Sequence, residues 1–367
     1  MGTADHHQER FEFHLPRVDI GLADEVTRSS NGAFARDSIS FTIQGRVWKL
    51  RRLIDTDEGL LPADAAIRLA HSNGEQFKSD LKSRHAILEV PVEGLTLEEA
   101  GMTADDLGWL LGLAFGQRVT WSEVGIRRDH HRRVVKGRSI TLPVKASGCQ
   151  PLSNQGGREV GTFLEKAYPI YIGDPHWWKF TLHWFALAYE STTVEVSGMI
   201  HSMLLDRISS WILDGHQFEK QIGTDLDQCL SDSARKSSLA KKLNELMQRF
   251  AANWTPARTN ALLGTIKGWN NSPPYKQKIA TAFDQAGLQP PAAVVTDARH
   301  ALMHTGSLPD LDHDFIVNYD REVHQAIVVL LLTLLGHEGM FFARDRGMQS
   351  IRQFRVEQPS QETSGSS

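Results

Sequence analysis

Apolar and polar residues alternate along the first part of the chain, as they do in strands that bury one face of a sheet. Residues 39–43 read Ile-Ser-Phe-Thr-Ile, Gly45 follows, and residues 47–50 resume an apolar pattern. This arrangement predicts a hairpin. Further elements are predicted in this part, namely strands at residues 87–92, 118–124 and 139–144 and a helix at residues 97–115.

Beyond residue 170 apolar residues recur every three or four positions, which is the spacing of helices that bury one face. The predicted helices cover residues 177–211 with a break at 191–193, then 239–250, 275–285 and 315–342. Pro and Gly mark a change of composition near residue 157. We therefore predict an α+β protein. A β-rich N-terminal mixed domain at residues 1–157 precedes an all-α helical bundle at residues 158–356, and a disordered tail follows at residues 357–367.

Length and composition restrict the class of protein. A chain of 367 residues exceeds the size at which single cores usually stop growing, which favours two domains. The formal net charge of -4 argues against a generally basic nucleic-acid coat, so RNA binding requires local patches. Only Cys149 and Cys229 are cysteines, and the N-terminus lacks the apolar core of a signal peptide. We expect a cytoplasmic protein that does not enter a membrane.

Candidate chemistry is concentrated at residues 296–306, where good helix formers lie between a capping Thr or Asp and Gly306. Arg299 offers a planar cation suited to a phosphate, and His304 in the last turn offers a group that exchanges protons near neutrality. The two residues lie roughly 140° apart around an ideal helix and converge only where the helix ends. Together they suit a phosphodiester substrate.

The order of Arg299, the polar His300, a three-residue spacer and His304 within a predicted bundle resembles the HEPN family of ribonucleases and nucleotide-binding domains. The resemblance implies a metal-independent endoribonuclease that cleaves RNA without a cofactor, with Arg299, His300 and His304 as catalytic residues. It also implies a carboxylate on an earlier helix, for which Glu195 is preferred over Glu190. Finally, it implies a homodimer that brings two motifs to one cleft, and the very apolar run at residues 326–335 is expected to be a buried helix that serves as core and dimer contact together.

A β-rich half in front of such a bundle is also similar in architecture to the ApeA-type abortive-infection proteins of bacteria. This second resemblance implies a role in anti-phage defence or toxin action. It further implies an N-terminal domain that senses a phage-derived trigger and controls the bundle. It rests on domain order alone and assigns no residues.

The densest positive run in the chain lies between two predicted strands. Interpreted as an exposed loop, it would contact RNA phosphates through Arg127, Arg128, Arg132 and Arg133. The alternative interpretation is a solvated hairpin without a partner.

Two other functions remain open. One is a non-catalytic HEPN module that binds nucleotide or RNA. The other is a metal-dependent hydrolase that uses the acidic loop from Asp310 to Asp314, although the spacing there matches no metal motif and acidic residues also cap helices. We therefore predict no metal site.

Overall fold

The structure of the chain is a computed structural model. It describes residues 9–16, 27–29, 32–34, 38–56, 59–62, 84–128, 131–138, 151–152, 158–191, 193–214, 230–250, 253–269, 274–297, 299, 313–343 and 347–356. The predicted strand at 139–144 and the predicted tail at 357–367 lie outside these residues.

An antiparallel sheet of seven strands forms the N-terminal part. The strands of this part are β1 Arg10–Leu15, β2 Thr27–Ser29, β3 Gly32–Phe34, β4 Ser38–Ile43, β5 Arg46–Thr56, β6 Gly59–Pro62, β7 Arg84–Pro91, β8 Glu123–Arg128 and β9 His131–Gly137. The order in the sheet is β4-β5-β7-β1-β8-β9, with β6 paired to β5, and β2 and β3 form a separate hairpin.

The predicted hairpin is confirmed, because β4 pairs with β5 from Ser38 opposite Arg51 to Ile43 opposite Arg46. Its two-residue turn, Gln44 and Gly45, has positive φ angles of 53° and 75°, as the turns that match strand twist require. The strand predicted at 118–124 is displaced. Pairing begins only at Glu123, although Val119 and Trp121 are buried and gave the apolar pattern.

One helix lies between β7 and β8, the other described helices follow β9, and one described strand pair follows them near the C-terminus. The helices are α1 Leu97–Phe115, α2 Arg158–Gly173, α3 Pro175–Glu190, α4 Val194–Ile212, α5 Ser233–Phe250, α6 Pro256–Trp269, α7 Tyr275–Gln285, α8 Ala293–Asp297 and α9 His313–Leu334. The last described elements are a hairpin of β10 Met340–Ala343 and β11 Gly347–Ser350 and a 3-10 turn at Ile351–Phe354. Within the described part of the chain, no helix has the length and apolar character to cross a membrane.

The architecture is thus α+β, with a β-sheet region followed by a mainly helical part. The prediction of an entirely helical second half, with a last helix reaching residue 342, was wrong. Helix α9 ends at Leu334, and Gly336 then adopts a φ of 76°, which turns the chain into β10. The apolar residues after Leu334 that resembled a continuing helix belong to this strand instead.

One face of the sheet is apolar and is covered by helices. Phe13, Leu50 and Leu88 on neighbouring strands are fully buried on this face. Helix α2 approaches β4 closely, since a Cβ on Gly161 would lie 3.2 Å from the Ser40 carbonyl oxygen. The Thr42 backbone N–H also donates to the Glu165 carboxylate at 2.7 Å. The sheet and the first helices therefore share one core.

Contacts divide the chain into two compact units, one of residues 1–205 with 286–367 and the other of residues 206–285. This division differs from the boundary predicted between residues 157 and 158. The sequence marker of that boundary was a Pro- and Gly-rich segment. Helix α2, directly after that segment, packs on the sheet instead of starting a separate unit.

The apolar run at residues 326–335 is core. Residues 327–332 and Leu335 are at most 1% exposed within this single chain. The run therefore offers no open apolar face to a second copy, and the predicted homodimer loses the observation that motivated it. The homodimer itself stays a prediction.

Two glycines of α1 provide a matched test of the packing. A Cβ on Gly108 would lie 3.0 Å from the Val119 carbonyl oxygen, whereas a Cβ on Gly101 meets nothing within 4 Å. We expect Gly108→Ala to lower the free energy of unfolding by about 1–3 kcal/mol through overpacking. Gly101→Ala should raise it by about 0.5–1 kcal/mol, because Ala is the better helix former. Urea denaturation of both variants measures this, and equal stabilisation by both would contradict the packing of α1.

Candidate functional site

Helix α9 carries three polar residues into the protein interior. Tyr319, Asp320 and His324 are at most 4% exposed. On α4, Ser197, His201 and Ser202 are likewise buried. Burying polar groups is costly unless they bond to each other, so these two sets of residues determine how α4 and α9 align. We refer to these six residues together with Tyr189 as the buried polar cluster.

The Asp320 carboxylate is the hub of this cluster. Ser197 Oγ donates a hydrogen bond to Asp320 Oδ1 at 2.9 Å. His201 Nδ1 lies 3.5 Å from the same oxygen and 3.4 Å from Ser197 Oγ. A carboxylate beside Nδ1 favours a proton on that nitrogen. His201 Nε2 is buried and has no hydrogen-bond partner among the described residues.

Aromatic and imidazole rings close the other side of the cluster. The Tyr189 hydroxyl and His324 Nε2 are hydrogen-bonded. The His201 and His324 rings have centroids 5.5 Å apart, and the Tyr189 ring lies 5.0 Å from His324 and 6.5 Å from His201. Phe185 stacks on His324 at 6.0 Å. Aromatic and imidazole rings therefore pack around the cluster and bury it away from water.

The charge of Arg299 acts on Tyr319 of this cluster. The Tyr319 hydroxyl is hydrogen-bonded to Ser202 Oγ and also lies 3.5 Å from the Gly198 carbonyl oxygen. Burial raises the pKa of Tyr319 and the Asp320 charge raises it further, while the Ser202 hydrogen bond and the Arg299 charge lower it. Helix α8, which precedes Arg299 by two residues, packs against α9. Arg299 is helical, and its Nε is buried.

The other predicted catalytic residues are placed as follows. His300 and His304 lie outside the described residues. Glu195 is in the first turn of α4, two residues before Ser197, and is partly buried. Glu190 ends α3, and its Oε1 is buried without a hydrogen-bond partner in the described part of the chain. The carboxylate that joins the polar cluster is Asp320, which was not among the predicted site residues.

A signal for the missed residues was available in the sequence. Ser197 and His201 are four apart on α4, and Asp320 and His324 are four apart on α9. Positions four apart share a helix face, and both pairs fall on mostly apolar faces. A polar pair on an apolar face indicates a partner across the helix interface.

A metal site receives no support from the described residues. Among them, no group of three or more His, Cys, Asp or Glu side chains is arranged to hold a metal ion. Asp314 of the acidic loop is exposed in the first turn of α9, where a carboxylate suits the helix dipole. Asp310 and Asp312 lie outside the described residues.

The basic run is a hairpin and not a loop, because its arginines belong to β8 and β9. Arg127 and Arg132 both contact the buried Glu12 of β1. Arg128 and Arg133 are exposed, and Arg128 lies 3.8 Å from Glu9. The four residues that were predicted to bind RNA therefore separate into two pairs with different surroundings.

Comparison with protein-family models, with curated proteins and with solved structures finds no significant match to this chain. Its function is therefore inferred from the residues and their geometry.

Removing the Asp320 charge should test the cluster. We expect Asp320→Asn to lower the free energy of unfolding by about 1–3 kcal/mol, because Ser197 and His201 lose a charged acceptor inside the protein. The exposed Asp314→Asn on the same helix should cost no more than about 1 kcal/mol. Chemical denaturation of the two variants compares them, and equal losses would show that Asp320 is not the hub.

Proposed function

We propose that this chain is a metal-independent endoribonuclease of the HEPN type that acts in bacterial anti-phage defence. The observation that supports this most is the electrostatic influence of Arg299 on the buried polar cluster. The charge of this arginine, which belongs to the sequence motif, reaches the Tyr319 hydroxyl in a buried set of hydroxyl, imidazole and carboxylate groups. An arginine without a binding or catalytic role is usually exposed to solvent, whereas the Nε of Arg299 is buried.

In the proposed reaction, His304 takes the proton of a ribose 2′-OH, and the 2′ oxygen attacks the adjacent phosphorus. The bond from phosphorus to the 5′ oxygen breaks, and that oxygen leaves as a 5′-OH after gaining a proton. Arg299 stabilises the negative charge that develops on the phosphate oxygens. His300 orients the substrate or His304. The other product is a 2′,3′-cyclic phosphate.

The buried polar cluster would hold Arg299 in place for this step. A guanidinium stabilises a transition state best when its position is fixed before the reaction begins. Tyr319 is fixed by Ser202 and by the Gly198 carbonyl, and the adjacent Asp320 is fixed by Ser197. These hydrogen-bonded groups of α4 and α9 would provide fixed polar surroundings for Arg299, whose charge acts on Tyr319. In this proposal Asp320 takes the place of the carboxylate expected at Glu195 or Glu190.

Control of the activity belongs to the same proposal. A ribonuclease that cleaves cellular RNA harms its host, so its activity must be held off until a trigger arrives. We propose that the β-sheet region senses a phage-derived trigger. The pairing of two bundles that the HEPN resemblance implies would use surfaces other than residues 326–335, which the chain itself buries.

The site residues can be tested by substitution. We expect Arg299→Ala to lower kcat/KM for RNA cleavage by about 10²–10³-fold and His304→Ala by about 10²–10⁴-fold, because they remove the charge stabiliser and the base. The matched control is Arg352→Ala, since Arg352 is exposed on the 3-10 turn. Cleavage of a labelled RNA by each purified variant, with circular dichroism to verify folding, makes the comparison.

Three outcomes would contradict the proposal. Cleavage by a folded His304→Ala variant at the wild-type rate would show that another group is the base. Binding of RNA by the wild type without any turnover would favour the non-catalytic module. Activity that requires added Mg²⁺ or Mn²⁺ and survives Arg299→Ala would favour the metal-dependent hydrolase.

A further inference from the structure

Three arginines stand side by side across three neighbouring strands of the sheet. Arg10 of β1 is opposite Arg127 of β8, and Arg127 is opposite Arg132 of β9. Neighbouring strands are about 4.8 Å apart, so this arginine row spans about 10 Å. Like charges directly opposite each other destabilise a sheet unless something neutralises them. Such a row therefore requires an explanation.

Buried carboxylates on the same face of the sheet form ion pairs with the arginines of this row. Glu12 is fully buried, and its carboxylate lies 2.5 Å from Arg127 Nε and 3.1 Å from Arg132 Nε. Glu89, opposite Glu12 on β7, lies 3.6 Å from Arg10. Burial raises the pKa of Glu12, whereas Arg127 lowers it. The carboxylates are costly to bury, and their attraction to the arginines offsets that cost.

A glycine permits this arrangement. Arg132 reaches Glu12 by crossing β8 directly above Gly125, where an added Cβ would lie 3.0 Å from the Arg132 Nε. Arg132 also contacts Glu123 at 2.8 Å. The position of its guanidinium is thereby set by two carboxylates and the surface of a glycine.

The outer side of the row faces solvent. The side chains of Arg127, Arg132 and Arg10 are 38%, 26% and 25% exposed. Arg127 contacts Glu12 through Nε, and its guanidinium carries two further donor nitrogens. A cavity of about 500 Å³ adjoins one end of the row and is lined by Arg10, Arg46 and Lys49 as well as by Glu89 and Glu93. On the face itself the described cations outnumber the described carboxylates. The cations are Arg10, Lys49, Arg51, Arg127 and Arg132, and the carboxylates are Glu12, Glu89 and Glu123.

We propose that the arginine row binds successive phosphates of a single-stranded nucleic acid. Fixed guanidinium groups suit phosphate oxygens, because each offers paired N–H donors at little cost in side-chain entropy. Contact with phosphates alone predicts that DNA and RNA of the same sequence bind alike. This binding is independent of the proposed ribonuclease activity, and a DNA probe without a 2′-OH separates the two.

The same hairpin provides a matched control. Arg128 and Arg133 lie opposite His131 and Ile126, so they alternate with Arg127 and Arg132 and point to the other face of the sheet. Substituting either pair by Gln removes the same charge from the same hairpin. Only the face of the sheet differs between the two double variants.

The test measures binding of a fluorescent single-stranded DNA by anisotropy over a range of salt concentrations. We expect Arg127→Gln/Arg132→Gln to weaken binding by at least about tenfold. The slope of log K against log salt should become shallower by about 0.7 for each phosphate that the variant no longer neutralises. Arg128→Gln/Arg133→Gln should keep the wild-type slope.

Folding is checked by a third variant, Glu12→Gln/Arg127→Gln/Arg132→Gln, which leaves no buried charge unpaired at Glu12. It should be folded by circular dichroism and should bind as weakly as the double variant.

Binding of the DNA by this triple variant with wild-type affinity would overturn the proposal. An equal loss in Arg128→Gln/Arg133→Gln would also overturn it and would place the site at the tip of the hairpin. Tripolyphosphate that binds as tightly as the strand would overturn the assignment to a nucleic acid.

Discussion

The hydrogen bonds that one buried carboxylate, Asp320, requires determine how the last long helix, α9, aligns with α4. Asp320 lies on α9 and is 4% exposed. Ser197 and His201 of α4 are its partners. Sliding α9 by one residue would move Asp320 away from both, and separating a buried charge from its partners costs several kcal/mol. The register of α4 against α9 is therefore fixed by polar contacts as well as by apolar packing.

That register has a consequence for chemistry. It places Tyr319 against Ser202 and within reach of the charge of Arg299. A low-dielectric surrounding strengthens charge interactions, which would help a guanidinium in the proposed role of stabilising developing negative charge. In the sheet, too, a buried carboxylate fixes the positions of its polar partners. Its buried Glu12 fixes two arginines whose outer sides face solvent.

Much of the fold follows from local pattern. The hairpin of β4 and β5 was predictable because every second residue is apolar and a glycine stands at the turn. Helix α7 was predicted at the residues where it occurs. Errors arose where local pattern and tertiary context disagree. Arginine-rich β9 lacks apolar alternation, and its Arg132 pairs with a carboxylate on another strand.

The site was predictable only in part for a similar reason. Arg299 was found through a short motif, whereas Asp320 and His201 are distant in sequence and meet only when α4 packs on α9. A carboxylate on an earlier helix was expected, and the last helix supplies the one in the cluster. Contacts between residues more than 100 positions apart leave little trace in a single sequence beyond a polar residue on an apolar face.

The most direct measurement of the central claim uses a DNA oligonucleotide that contains one ribonucleotide, incubated with the protein in the presence of EDTA. The account predicts a single cut, on the 3′ side of the ribonucleotide, which leaves a 2′,3′-cyclic phosphate and a 5′-OH when the ends are identified by mass spectrometry. Cuts at deoxyribonucleotides, ends that carry a 5′-phosphate, or activity that EDTA abolishes would contradict it.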